Sequence, residues 1–292
     1  MMLHPPLLRS VLYVPANNEK ALAKIVSLSM DAVIFDLEDA VAPETKEGAR
    51  ENLRRLFKTR PATNAKLVIR INALTYDWGE EDLLAARACR PDAILLPKVE
   101  TPQDILSVTD ALNETDAPDS LKLWAMIETP RGLMNLSAIA ELGLRTGPRL
   151  ECLVAGSNDL ALETGAKTRS AMQAWLSQIV LGARAGGLAV LDGVFNDFRD
   201  TAGLAKECEL ARDSGFDGKT LIHPDQISEA NRAFAPSELE IAAAQKIVEA
   251  FTLPENQSKN VISIHGKMVE SLHMTMAQNI LAKATAIKEK QA

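Results

Sequence analysis

Short apolar runs recur along the chain with amphipathic stretches between them, the alternation expected of βα units around a parallel sheet. Eight runs stand out, at residues 10–14, 32–37, 67–71, 93–96, 121–127, 150–154, 188–191 and 216–222. Eight units, with no glycine-rich dinucleotide turn after the first, predict a closed (β/α)8 TIM barrel rather than an open doubly wound sheet. Helix starts are marked by capping chemistry. Thr101-Pro102-Gln103-Asp104 and Thr129-Pro130-Arg131 each set a hydroxyl before a proline at the first helical position. Ser237-Glu238-Leu239-Glu240 reads as a capping box that opens a further helix after the eighth unit. Residues 253–259 are polar and contain Pro254, which predicts a linker. Met268, Leu272, Met276, Ile280 and Ala284 then recur every four residues, which predicts one amphipathic helix to the end. The expected organisation is a barrel over residues 1–235 and a C-terminal helical extension over 236–292.

Composition agrees with this picture and narrows it. A barrel takes about 250 residues, so 292 leave room for one barrel and a tail. The 47% hydrophobic and 24% charged residues are those of a globular enzyme. With 32 basic against 39 acidic residues the net charge is −7, which provides no footprint for nucleic acid or an anionic membrane, so any phosphate must be met locally. Cys89, Cys152 and Cys208 show neither a disulfide framework nor zinc spacing. No presequence and no run of about 18 apolar residues is visible. A cytoplasmic protein is expected.

The active site of such a barrel lies at the C-terminal strand ends, and here those ends are polar. The first reaches Pro15-Ala16-Asn17-Asn18, the second Glu38-Asp39, the third Arg70-Ile71-Asn72 and the fourth Pro97-Lys98. The others reach Glu128, Gly156-Ser157-Asn158-Asp159, Asp192-Gly193 and His223-Pro224. Glu128 and Asp159, from neighbouring strands, suit a hard divalent cation held by one or two carboxylates plus water and substrate oxygens, with Mg²⁺ the natural candidate. Either acid alone is better explained by the helix dipole. Their shared position outweighs that explanation. Arg70 suits a bidentate grip on a carboxylate, or else an internal ion pair with Glu38 or Asp39. Strand alternation points Asp36 and Glu38 to one face, and one of Asp36, Glu38 and Asp39 is expected to be structural. Lys98 and Lys219 follow strands and raise a Schiff-base aldolase, which the carboxylate pair disfavours. His223 before Pro224 is given no catalytic role. His4, His265 and His273 have no ligand spacing, and no nucleophile motif is present.

Arg9 to Pro15, Asp36-Leu37-Glu38-Asp39-Ala40-Val41, Arg70-Ile71-Asn72, Pro97-Lys98, Ile127-Glu128-Thr129, Asn158-Asp159-Leu160 and Gly218-Lys219-Thr220-Leu221-Ile222-His223-Pro224 together resemble the citrate lyase β-subunit family, with its malyl-CoA and citramalyl-CoA lyase relatives. The resemblance runs nearly end to end. It implies that Glu128 and Asp159 hold Mg²⁺, that Arg70 grips the carboxylate of the keto-acid half, and that Glu38 and Asp39 shape the site. Pro15, Lys98, Asp192, Gly218, Lys219, His223 and Pro224 would line substrate and CoA, the latter near the eighth strand. A homotrimer or hexamer is implied, with the C-terminal segment closing over a neighbour's site. That segment reads Gly266-Lys267-Met268-Val269-Glu270, a glutamate where the family carries a catalytic aspartate. The implied reaction is retro-Claisen cleavage of a 3-hydroxyacyl-CoA. Its rivals are a metal-dependent pyruvate-class aldolase acting on free acids and a β subunit of a citrate lyase complex served by an acyl-carrier thioester.

Overall fold

The structure is a computed structural model and describes residues 6–256, 259–264 and 266–291. His4 and His265 lie outside the described residues. Contacts divide the chain into two compact units, Leu8–Phe234 and Ala235–Ala292.

The first unit is the expected barrel. Its strands are β1 Ser10–Pro15, β2 Ala32–Asp36, β3 Lys66–Arg70, β4 Ala93–Leu96, β5 Lys122–Ile127, β6 Leu150–Ala155, β7 Ala189–Asp192 and β8 Gly218–Leu221. They close in sequence order, and each neighbouring pair is parallel, β1 with β8 included. Alternation divides each strand between two cores. Val11, Ala32, Ile34, Val68, Ala93, Leu95, Trp124, Met126, Cys152, Val154, Ala189 and Leu191 fill the barrel. Leu12, Val14, Val33, Phe35, Leu67, Ile69, Ile94, Leu123 and Val190 join helix residues such as Leu53, Ile105, Leu176 and Leu204 in the outer core. Burial on both faces is why the strands read as continuous apolar runs.

The caps form as the sequence predicts. Thr129 Oγ1 accepts from the Gly132 N–H at 3.0 Å, and Asp104 Oδ2 accepts from the Thr101 N–H at 2.8 Å. Ser237 Oγ and Glu240 exchange the reciprocal bonds of a capping box at 3.2 and 2.7 Å. All three cysteines are buried free thiols.

The second unit differs from the expected pair of helices. After the helix Glu238–Thr252 comes an antiparallel hairpin, β9 Val261–Ile264 and β10 Lys267–Glu270, and only then the helix Ser271–Gln291. Met268 therefore belongs to a strand, and the four-residue stripe does not run through one helix. Leu272 and Met276 are exposed, whereas Ala277 and Ala284 are buried. Phe251, Ile262 and Val269 form a small core of this unit, with Ile247, Ala250, Ile264 and Met274 packed against it. Of the linker at 253–259, residues 257 and 258 lie outside the described residues. Among the described residues no helix is long and apolar enough to cross a membrane.

Candidate active site

The inward alternation delivers the chemistry. Ala32 and Ile34 line the barrel, and the same step brings Asp36 and then Glu38 to its C-terminal end. Val68 leads likewise to Arg70, and Trp124 and Met126 lead to Glu128.

Arg70 is buried and pairs with Asp36 as well as with the expected Glu38 and Asp39. Nε and Nη2 donate to Asp36 Oδ1 and Oδ2 at 2.7 and 2.6 Å. The Asp36 carboxylate also accepts the N–H groups of Glu38 and Ala40, at 2.9 and 3.1 Å. Burial opposes its charge, but Arg70 and these bonds win and hold its pKa below the usual range. Asp36 is thus the structural acid of the trio. Nη1 of Arg70 makes ion pairs with Glu38 Oε2 at 2.7 Å and with exposed Asp39 at 3.6 Å. The guanidinium stacks 4.9 Å over the ring of Tyr13, whose hydroxyl burial drives above its ordinary pKa.

Glu38 is buried and takes Lys98 Nζ on Oε1 at 2.5 Å. Desolvation raises its pKa despite Arg70 and Lys98. The loop behind it is fixed by Lys46, whose buried ammonium donates to Leu37 O, Glu38 O and Asn72 Oδ1 at 2.8, 3.0 and 3.1 Å. Lys98 itself has φ of 49°, a left-handed conformation costly for a side chain-bearing residue. That strain turns its N–H onto Glu128 Oε1 at 2.6 Å.

Glu128 is fully buried, and its Oε2 has no hydrogen-bond partner among the described residues. Desolvation first, then the charges of Glu38 and Asp159, push its pKa up to about 8. Gly156 backs directly onto it, and a Cβ built there would overlap Glu128 Cβ and Oε2. Half-buried Asp159 stands in the first turn of the helix Ser157–Thr164. Among the described residues no three His, Cys, Asp or Glu side chains converge as a metal cluster. Two carboxylates, one with a bare buried oxygen, are the candidate donors. This fits Mg²⁺, which keeps several water or substrate oxygens in its shell.

Several residues expected around substrate and CoA make contacts inside the protein. Lys219 is buried in the barrel wall, and its ammonium donates to Asp192 Oδ2, Glu207 Oε1 and Gly193 O at 2.7, 2.6 and 2.5 Å. Asp192 is equally buried and also takes Arg169 Nη2 at 2.8 Å. Gly218 packs on the chain entering β1, where a Cβ would collide with Leu8 O. The side chains of Lys219 and Asp192 thus pair inside the protein, and Gly218 gives the chain entering β1 its close approach. The Glu38 carboxylate keeps Lys98 a protonated ammonium, its pKa raised against the desolvation that opposes it. Partly exposed Pro15 ends β1. His223 stacks on Phe198 with ring centroids 4.6 Å apart, and its Nδ1 accepts from Asp225 N–H at 3.3 Å, while Pro224 is exposed. Glu270 ends β10 in the second unit, and its N–H donates to His273 Nδ1 at 3.0 Å.

Tyr13, Lys46, Gly156 and Arg169 were given no role from the sequence, although Tyr13 and Gly156 stand in stretches named there. Tyr13 was the accessible one, two residues beyond inward Val11.

Known proteins share this architecture. A (3S)-malyl-CoA thioesterase of Cereibacter sphaeroides is 46% identical over 287 residues, covering 97% of this chain and 96% of the relative. The mitochondrial citramalyl-CoA lyase of Mus musculus is 35% identical over 97% of this chain and 87% of the relative. The crystal structure of protein CitE from Mycobacterium tuberculosis in complex with magnesium, acetoacetate and coenzyme A superposes with a TM-score of 0.77 at 29% identity, covering 97% of this chain and 98% of that one. The HpcH/HpaI aldolase/citrate lyase family model matches residues 9–224, and the chain belongs to that family.

Proposed function

We propose that this chain is a Mg²⁺-dependent carbon–carbon lyase acting on a short, carboxylate-bearing 3-hydroxyacyl-CoA of the malyl-CoA or citramalyl-CoA type, releasing acetyl-CoA and a 2-keto acid. The observation that carries the reading is the bare, buried Oε2 of Glu128 beside Asp159. The relatives named for malyl-CoA and citramalyl-CoA, and the neighbour that holds magnesium with CoA, support the ester and the ion.

Glu128 and Asp159 would hold the ion. Bound there, Mg²⁺ supplies Lewis-acid polarisation of the substrate's hydroxyl and carboxylate oxygens. Lys98 N–H holds Glu128 Oε1 and leaves Oε2 as the oxygen that would take the ion, and Arg70, fixed by Asp36, would offer an N–H to the substrate carboxylate. Glu38 Oε2 takes the hydroxyl proton. As the carbon–carbon bond breaks, its electron pair passes into the thioester as an enolate, and a carboxylic acid returns a proton to the enolate carbon. Glu270 of a neighbouring copy in a homotrimer or hexamer fills that last role. Asp39, Pro15, His223 and Pro224 border the mouth, where CoA would enter. The buried free thiols support a cytoplasmic setting.

A second reading, hydrolysis of the thioester, is favoured by the higher identity to the malyl-CoA thioesterase. Product analysis after incubation with Mg²⁺ and each ester separates the two. Acetyl-CoA with a 2-keto acid supports cleavage, and free CoA with the intact hydroxy acid supports hydrolysis.

A further inference from the structure

Lys219 and Gln226 are buried polar side chains of the eighth unit that no step of the proposed reaction uses. Both donate to the loop that follows β7. Lys219 Nζ donates to Gly193 O at 2.5 Å, and Gln226 Nε2 to Phe195 O at 2.9 Å. Neither donor is free to swing. Asp192 and Glu207 neutralise the ammonium, and Gln226 Oε1 accepts the N–H groups of Ile222 and His223 at 2.9 and 3.2 Å.

The loop so held grips the helix turn that carries Asp159 at two points. Gly193 lies flat against Ser157, and a Cβ built on it would overlap Ser157 Oγ. Asn196 faces Asn158, with Asn196 Nδ2 donating to Asn158 Oδ1 at 2.9 Å. Ser157 and Asn158 are the two residues preceding Asp159.

We propose that residues 193–196 form a bracket that fixes Asp159 for metal binding, with Lys219 and Gln226 as the positioning residues that hold the bracket. The inference rests on the reading of Glu128 and Asp159 as metal ligands. A carboxylate on a loose turn must be ordered by the ion, and that ordering subtracts from affinity, whereas a pre-set one binds without it. The expected signature is a change in metal affinity with the fold intact.

The test is direct binding of Mn²⁺, followed by electron paramagnetic resonance on the full metal-free chain, with thermal melting to establish folding. Asn196→Ala alters an exposed residue and should raise Kd about 3- to 10-fold through one lost hydrogen bond. Gly193→Ala and Lys219→Met should raise it about 10- to 100-fold, the range typical of groups that support ligands. Adding Ser157→Gly to Gly193→Ala should restore most of the loss, which a general loss of stability would not do. If Lys219→Met fails to fold, Asn196→Ala and Gly193→Ala decide. Variants that bind within twofold of a tightly binding wild type overturn the bracket, as does a Gly193→Ala loss that persists in the double variant. A wild type that binds no Mn²⁺ overturns the metal reading, and the bracket with it.

Discussion

A buried carboxylate with one backbone donor and one bare oxygen is poorly stabilised as an anion until a cation reaches it, and that is the situation of Glu128. Its folded pKa of about 8 lies above the unfolded value of 4.5. Between those values the native state holds a proton that the unfolded chain has released, so the contribution to stability is full below pH 4.5 and is lost as pH rises to about 8. The metal-free protein should therefore lose melting temperature between pH 6 and about 8.5 relative to Glu128→Gln, a variant that keeps a neutral side chain throughout. The same proton must leave when Mg²⁺ binds, so affinity should rise with pH up to about 8 and then level off. Calorimetry at several pH values checks both expectations. At Arg70 the account predicts that Asp36→Asn costs about 3–5 kcal/mol in urea unfolding, because a buried guanidinium loses its bidentate partner. Glu128 and Arg70 were legible in the sequence because alternation places every second strand residue inward. The Asp36–Arg70 pairing and the burial of Lys219 were not, since both depend on the register of one strand against another.

At the level of elements, all eight strands were readable, with ends shifted by one or two residues where apolar side chains continue past the ladder, as at Leu37 and Ile71. The hairpin of the second unit was not. Met268 falls in step with Leu272 and Met276, so a strand residue followed by an exposed helix face imitated one helical stripe. Capping boxes mark helix starts, but nothing as local marks a short two-stranded ribbon. The close approach of β5 and the start of the helix after β6 gives a further expectation. Gly156→Ala should displace the Glu128 carboxylate, raising the Mn²⁺ dissociation constant at least about 10-fold for an overpacking cost of about 1–3 kcal/mol. Unchanged binding with unchanged stability would show that the carboxylate has room to move.

Across the whole molecule, the barrel sets Glu38, Glu128 and Asp159, a guanidinium and a strained lysine around one mouth, while Glu270 belongs to the other unit. Glu270 is one methylene longer than the aspartate that the family pattern leads one to expect. Glu270→Gln should lower kcat by about 10²-fold or more while leaving Mg²⁺ affinity unchanged, since general acid–base groups contribute on that scale. Steady-state kinetics beside metal titration checks this, and parallel loss of both would place Glu270 among the ligands instead. Composition and charge excluded nucleic acid as an expected partner, but they left the acyl group open, because a single methyl in a pocket is worth only about 1–3 kcal/mol. The central claim is tested most directly by mixing the purified protein and Mg²⁺ with malyl-CoA, citramalyl-CoA and citryl-CoA and following acetyl-CoA and 2-keto acid together. Matched release of both from malyl-CoA or citramalyl-CoA, abolished in Glu128→Gln, is the predicted result. Free CoA with no keto acid, or no turnover of any ester, would contradict it.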